Sequence, residues 1–520
     1  MDMGTTNTRL WLCSQNSICH SVKAAIGAGI TKFNGKEYLF SEIKNLIGLL
    51  LTESHADISE IDCIIASGMV GSELGISEAP RLPIPADSYS LAANLQICTI
   101  PEITAIPFLI VPGIKKSLKN DLVDVIRGEE TEVAGIVQVF PEASNAVLVL
   151  PGSHNKVIRV ENGVITDFYT TMSGELLHSI LSGTILSGSA CHQFSLKEQF
   201  VLQGALYGRE HGINAALFHI RVMALNGMAA NVLSSFLHGC VLGQDIENIL
   251  KFSEKLPIYV GGNEILKRVY CILLGEKATS ICEEISTDAT RAGLSHILNI
   301  HRNLKKRDAV LKAIAKEKLI AIVRDPDEET LLSAVKALYN GGIRLIEVTF
   351  DRSGKVPKTK TAALINLIKN NTPMLVGAGT VTCQEELLLA YHAGASFIIS
   401  PNCDTEIIKK TRKLGLTSIP AGFTPTEIAD AIHAGADYVK VFPADALPKG
   451  YVKAIKAPLS DAKLLAVGGV SKDNAKDFLS DGFSGIGIGS GLYNKSLIAA
   501  KDWDGLTALA KTFVKAVKYI

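Results

Sequence analysis

The chain is 520 residues long, 47% hydrophobic and 20% charged, with 52 basic against 52 acidic side chains and a formal net charge of zero. That length exceeds one ordinary domain, and the balanced charge offers no electrostatic footprint for nucleic acid or an anionic membrane surface. The 10 cysteines are scattered without a C-x-x-C pair or zinc spacing, no apolar run reaches the ~18 residues of a bilayer span, and the opening MDMGTTNTRL carries no signal-peptide pattern. Together these predict a cytoplasmic protein with reduced thiols.

The first element is Asp2-Met3-Gly4-Thr5-Thr6-Asn7, which has the form of a strand–turn phosphate motif. A carboxylate beside Gly-Thr-Thr can hold the water shell of a metal ion while hydroxyls and backbone N–H groups take phosphate oxygens; a plain turn is the competing reading. Strands are predicted at 62–67, 105–111, 145–150 and 256–260, and long apolar helical runs at 176–187 and 222–242. Between them lie Gly68-Met69-Val70-Gly71-Ser72, Pro112-Gly113-Ile114, Arg127-Gly128-Glu129-Glu130-Thr131, Pro151-Gly152-Ser153-His154-Asn155-Lys156, Gly174-Glu175-Leu176 and Gly261-Gly262. This is α/β architecture without an eight-fold repeat. Residues 301–318 are charged and helix-prone, which predicts a linker and the leading helix of a second domain.

From residue 319 the chain acquires a period. Short apolar segments begin at 319, 344, 374, 397, 417, 438, 464 and 485. Amphipathic stretches such as 328–340 and 426–434 separate them, and several end in a Gly suited to a helix C-terminus. Uniformly apolar strands alternating with helices predict a parallel sheet, and eight such units predict a (β/α)8 TIM barrel over 319–520. An open doubly wound sheet is the runner-up. Polar groups at the C-terminal strand ends of a barrel are its candidate catalytic residues: here Arg324, Glu347, Thr380, Asn402, Lys440, Gly468-Gly469 and Gly489-Ser490. An ammonium at Lys440, among Val439, Val441 and Phe442, is poorly solvated, so its pKa should fall and the neutral amine should attack a keto group. Glu347 in an apolar strand can shuttle protons, the Gly-rich ends can cradle phosphate, and Arg324 can pair with a carboxylate. A structural Lys–Glu ion pair and simple Gly turns are the competing readings.

Glu347-Val348-Thr349, Gly377-Ala378-Gly379-Thr380-Val381, Ser400-Pro401-Asn402, Val439-Lys440-Val441-Phe442-Pro443-Ala444 and Gly468-Gly469-Val470 resemble the 2-keto-3-deoxy-6-phosphogluconate/phosphogalactonate aldolases. The resemblance covers roughly 310–520. It implies Lys440 as Schiff-base lysine and Glu347 as proton shuttle. It implies Arg324 and Thr380 on the pyruvyl carboxylate, and Pro401, Phe442 and Val467 among the substrate contacts. Gly468, Gly469, Gly489 and Ser490 would bind phosphate. It further implies cleavage to pyruvate and glyceraldehyde 3-phosphate with no metal, and a homo-oligomer, usually a trimer through the barrel. Val467 leans to the galacto substrate, whereas Phe350-Asp351 and Arg352 depart from galacto-type members.

The N-terminal motifs, spread over about 1–300, resemble 2-dehydro-3-deoxygalactonokinase. That implies a two-lobed actin/hexokinase-like fold, with lobes of about 1–142 and 143–300, using ATP and Mg2+. Asp2, Gly4, Thr5 and Thr6 would form the first phosphate and Mg2+ loop, with Asp2 as the metal contact. Gly152, Ser153 and Lys156 would belong to the second, and Gly261 and Gly262 would lie near adenosine. Glu129 or Glu130 is the expected base and Arg127 the contact of the sugar-acid carboxylate; a solvated helix start is the competing reading for the two glutamates. Only Met1 precedes Asp2, where the family has a longer apolar strand, so the first loop is expected to be weakly held. The combined expectation is a bifunctional enzyme of galactonate catabolism. The rivals are an active aldolase of the 2-keto-3-deoxy-6-phosphogluconate or 4-hydroxy-2-oxoglutarate type beside an inactive kinase-like binding module, and a single-function aldolase for 4-hydroxy-2-oxoglutarate with an unrelated sugar-binding front half.

Overall fold

A computed structural model describes residues 1–14, 17–117, 122–191, 194–262, 264–281 and 283–518; the side chains of 17, 18 and 283–287 lie outside the description, as does Cys282. The chain divides into two compact units, Met1–Asn299 and Ile300–Ile520. Among the described residues no helix is long and apolar enough to cross a membrane. The helix Glu283–Glu317 runs through the segment where a linker and leading helix are expected.

The first unit is built twice on one plan. Its first half holds β1 (Asp2–Met3), β2 (Thr8–Ser14), β3 (Ser17–Ala24), β4 (Ile64–Gly68), β5 (Arg81–Pro83), β6 (Gln96–Ile100), β7 (Thr104–Ile110), β8 (Gly113–Ser117) and β9 (Val123–Ile126). The main sheet runs β3-β2-β1-β4-β7-β6, and β5-β8-β9 form a small second sheet. The second half holds β10 (Ala146–Leu150), β11 (Asn155–Glu161), β12 (Val164–Thr171), β13 (Ile258–Val260) and β14 (Ala278–Ser280), in the order β12-β11-β10-β13-β14. In each half three strands form an antiparallel meander, and the first of them pairs in parallel with a strand that returns after helices. The turns after β1 and β10 are therefore topological equivalents. Every residue of β10 is buried, which explains why its sequence is continuously apolar rather than alternating. β2 reads less clearly because its outer half is exposed.

The 222–242 run is not one helix. It breaks into Ile213–Leu225 and Ala230–Leu242, with Gly227 at φ +77° in the connecting turn, a conformation in which glycine has no Cβ penalty.

The second unit holds β15 (Leu319–Val323), β16 (Leu345–Thr349), β17 (Leu375–Gly379), β18 (Phe397–Ile399), β19 (Thr417–Ile419), β20 (Val439–Val441), β21 (Leu464–Val467) and β22 (Gly485–Ile488). All ladders are parallel, in the order β19-β18-β17-β16-β15-β22-β21-β20. The remaining seam closes through Lys440: its N–H donates to Pro420 O at 2.8 Å, and its carbonyl accepts from Gly422 N at 3.0 Å. The sheet is thus a closed barrel, and the open doubly wound alternative is excluded. Ile320, Leu345, Phe397, Ile399, Ile419 and Leu465 belong to one cluster, which Val310 and Ile314 of the leading helix join. The opposite strand faces pack against the helices that connect successive strands.

Candidate active sites

In the barrel, the expected residues all stand in or just beyond C-terminal strand ends. Arg324 follows β15, Glu347 lies in β16, Thr380 follows β17 and Pro401 follows β18. Lys440 lies in β20 with Phe442 just after it; Val467, Gly468 and Gly469 close β21, and Gly489 and Ser490 follow β22. Parallel strands of one closed barrel bring these ends to one mouth. Glu347 is 3% exposed. Burial raises its pKa, opposed by the positive charges of Lys440 and Arg324. Burial lowers the Lys440 pKa, opposed by Glu347 and assisted by Arg324. The two groups thus lean toward their neutral forms together: an amine with an available lone pair beside a carboxyl that can give or take a proton. The Lys440 Nζ also lies 5.3 Å from the centre of the exposed Phe442 ring.

The glycines have definite work here. A Cβ on Gly379 would stand 1.7 Å from the Glu347 Oε1, and one on Gly377 would strike the Phe397 ring at 2.3 Å. Gly377-Ala378-Gly379 is therefore the surface on which the Glu347 carboxylate and a core aromatic lie. Gly468 and Gly469 both have positive φ, +91° and +67°, so this turn exposes its backbone in a form other residues resist. Asn474 Nδ2 donates to Gly469 O at 2.9 Å and fixes it.

In the first unit a second constellation forms. Asp2 sits opposite Ser67 and next to Gly68, whose Cα lies 3.2 Å from where a Cβ on Gly128 would be. This contact brings the start of the helix Glu129–Val139 to the end of β1. Asp2 Oδ2 accepts from Arg9 at 2.7 Å. The exposed turn Gly4–Asn7 is closed by Gly4 N to Asn7 O at 2.8 Å, and it is tied back by Gly29 N to Thr5 O at 2.9 Å. The Met1 ammonium donates to Ile65 O at 2.8 Å. Glu130 is fully buried and accepts from Gly128 N at 2.7 Å. Glu129 is partly exposed and accepts from Arg127 N at 2.9 Å. Each thus satisfies a backbone donor at its own helix start. Arg127 is threaded between Gly71 and Gly113 and donates to Ala79 O at 3.0 Å, while its Nη1 is buried with no hydrogen-bond partner. Lys156 is buried and donates to Val125 O at 3.0 Å and Thr170 Oγ1 at 2.8 Å; two of its three donors are thus committed beneath the second turn.

That second turn is held from below. Asn155 Oδ1 accepts from Gly152 N at 3.1 Å, and Asn155 Nδ2 donates to Tyr270 Oη at 2.7 Å. Tyr270 and Ser173 donate to the buried carboxylate of Asp245 at 2.5 and 2.7 Å. A Cβ on Gly174 would meet Gly152 O at 1.8 Å, and one on Gly262 would meet Pro151 O at 2.7 Å. The Gly174-Glu175 and Gly261-Gly262 stretches therefore press against the loop. Sequence reasoning missed Asp245, Tyr270 and Arg9, because none sits in a motif. It also missed Glu132, one turn beyond the expected base.

The carboxylates of this helix start carry a pH signature. Burial pushes Glu130 up to about 7, with the Glu129 charge adding to the shift, and pushes Glu132 up to about 8, with Glu129 and Asp2 adding. Burial also raises Glu129, against the charge of Lys156. Folded pKa values above the unfolded ~4.3 mean that this contribution to stability is complete below about pH 4. It is lost as pH rises through about 7 to 8. We predict that Glu132→Gln leaves the unfolding temperature of the first unit near the parent value at pH 5 and raises it by a few degrees at pH 9, where roughly 2–4 °C corresponds to 1 kcal/mol. A calorimetric difference that does not change with pH would contradict this assignment.

A two-lobed kinase with paired turns, joined to a parallel barrel with a partly buried lysine, defines a carbohydrate kinase and a lyase in one chain. Residues 2–297 match the 2-keto-3-deoxy-galactonokinase family and residues 310–509 the KDPG and KHG aldolase family. The chain belongs to the former and carries the latter as its second domain. It is 29% identical over 256 residues to the 2-dehydro-3-deoxygalactonokinase of Escherichia coli strain K12, covering 48% of this chain and 79% of that one. It is 31% identical over 201 residues to the 2-dehydro-3-deoxy-6-phosphogalactonate aldolase of the same organism, covering 38% and 96%. A putative 2-dehydro-3-deoxygalactonokinase structure from Sinorhizobium meliloti is 25% identical, covering 57% of this chain and 97% of that one, with a TM-score of 0.48.

Proposed function

We propose that the chain phosphorylates 2-dehydro-3-deoxygalactonate at O6 with ATP and then cleaves the 6-phosphate to pyruvate and glyceraldehyde 3-phosphate. The observation that carries this reading is the joining in one chain of a sugar-acid kinase domain and an aldolase domain of the class that takes the phosphorylated acid. In the first unit, the turns at Gly4–Thr6 and Gly152–Ser153 receive phosphate oxygens. Glu129, the more exposed of the two adjacent glutamates, accepts the O6 proton, and Arg127, with its unspent Nη1, faces the sugar-acid carboxylate. Glu130 stays a buried cap, and Gly261 and Gly262 shape the nucleotide end.

A divalent ion fits this donor set. Mg2+ bound with phosphates keeps most of its water and needs one or two carboxylates, and Asp2 supplies one from the end of β1. When bound, the ion neutralises charge on the transferred phosphoryl group.

In the barrel, the Lys440 amine attacks the C2 keto carbon and water leaves, giving an iminium. Glu347 takes the C4 hydroxyl proton, the C3–C4 bond breaks into the iminium, and glyceraldehyde 3-phosphate departs. Protonation at C3 and hydrolysis release pyruvate and restore Lys440. Arg324 and Thr380 bind the carboxylate, Pro401, Phe442 and Val467 flank the chain of the substrate, and Gly468, Gly469, Gly489 and Ser490 take the phosphate.

The two chemistries separate experimentally. EDTA should stop ATP-dependent phosphorylation and leave cleavage of the pre-phosphorylated acid unchanged, because the iminium is itself the electron sink. Cleavage lost with EDTA and restored by a divalent ion would refute the Schiff-base route.

A further inference from the structure

Thr380 has φ +59°. A β-branched residue is a steric outlier in that region and stays there only when its surroundings impose it. The imposition is visible on both sides. Before it, the Glu347 carboxylate covers Gly379 so closely that the strand end has no room for a side chain. After it, the Thr380 carbonyl accepts from Arg352 Nη2 at 2.5 Å, and the same nitrogen donates to Glu386 Oε2 at 2.7 Å. That oxygen also accepts the Thr382 N–H at 2.9 Å. Glu386 is fully buried, and its other oxygen receives no hydrogen bond; the nearby cation there is Lys358, 3.7 Å away. The Thr380 hydroxyl has no hydrogen-bond partner among the described residues, so the clamp fixes a side chain whose own polar atom is left for a ligand.

We propose that Glu386, acting through Arg352, is a positioning residue of the aldolase site: it holds the Thr380 peptide left-handed so that Thr380 meets the keto-acid carboxylate. This rests on the Schiff-base reading of the barrel. The competing role is an ordinary helix cap, since Glu386 lies in the first turn of the helix Gln384–Ala393. A cap would affect stability without regard to what stands at 380.

A double-mutant cycle in the full-length chain separates the two, read by borohydride trapping of pyruvate on Lys440 across pyruvate concentrations. Glu386→Gln should raise the half-saturating pyruvate roughly 10-fold and leave the maximal trapping rate within about twofold. Thr380→Gly lets the turn form without the clamp and removes the hydroxyl. It should raise the half-saturating concentration by itself, and adding Glu386→Gln should then change it no further. Arg352→Met should behave as Glu386→Gln does and serves if that variant fails to fold. The same fold-loss in both backgrounds, a fall in maximal rate alone, or no change would overturn the proposal. Absence of any pyruvate adduct in the parent chain would instead remove the Schiff-base reading, and this proposal with it.

Discussion

Lys440→Ala is expected to lower aldol cleavage by roughly 10⁴-fold or more, since loss of a covalent nucleophile removes the route rather than weakening it. The closed barrel gives the reason for that size. Lys440 is the residue whose backbone closes the last seam, so its side chain leaves the barrel wall at a fixed place, beside the Phe442 ring and on the face opposite to Val439 and Val441. Burial lowers its pKa, which favours the neutral amine, and no other lysine stands within the barrel strands. Borohydride and pyruvate should leave a covalent adduct on Lys440 in the parent chain and none in the variant. An adduct on another lysine would overturn the assignment. The substitution truncates a partly buried side chain whose backbone bonds remain, so the barrel should stay folded.

Glu347→Gln is expected to slow cleavage by about 10²–10⁴-fold, the usual contribution of a positioned acid–base group. The amide is nearly isosteric and still fits over Gly379, so folding and pyruvate trapping should persist. The charge it removes is one that raises the Lys440 pKa; the amine should therefore be deprotonated at lower pH, and the pH dependence of trapping should move in the acid direction. Near-normal turnover with an unmoved profile would make Glu347 a packing partner only.

The barrel was legible because its signals are local. Each strand is a short, mostly apolar run, and the candidate groups stand in these runs or just past their ends. What the sequence withheld there was the use of its glycines: that Gly379 exists for the Glu347 carboxylate is a contact between neighbouring strands, and no pattern along the chain shows it. The first unit was less legible for the same reason. β2 ends in exposed Cys13 and Ser14, so its alternation is weak. Asp245 and Tyr270 are drawn to Asn155 across long sequence separations. Gly227 could have been read as a helix break from the Asn226-Gly227 pair, a strong turn signal, but the apolar residues on either side masked it. The partners of β1 are not legible either: Ser67 N donates to Met1 O across more than sixty residues of sequence.

The most direct test of the account tracks pyruvate release from unphosphorylated 2-keto-3-deoxygalactonate with the full-length chain. The remote phosphate supplies binding energy that orients the reacting carbons in the barrel, so cleavage should depend on the first unit having acted. Pyruvate should form rapidly only with ATP and Mg2+ together. Pyruvate formed equally fast without ATP would contradict the two-step account. So would its absence with ATP when the pre-phosphorylated acid is cleaved rapidly, which would leave an aldolase beside an inactive kinase lobe.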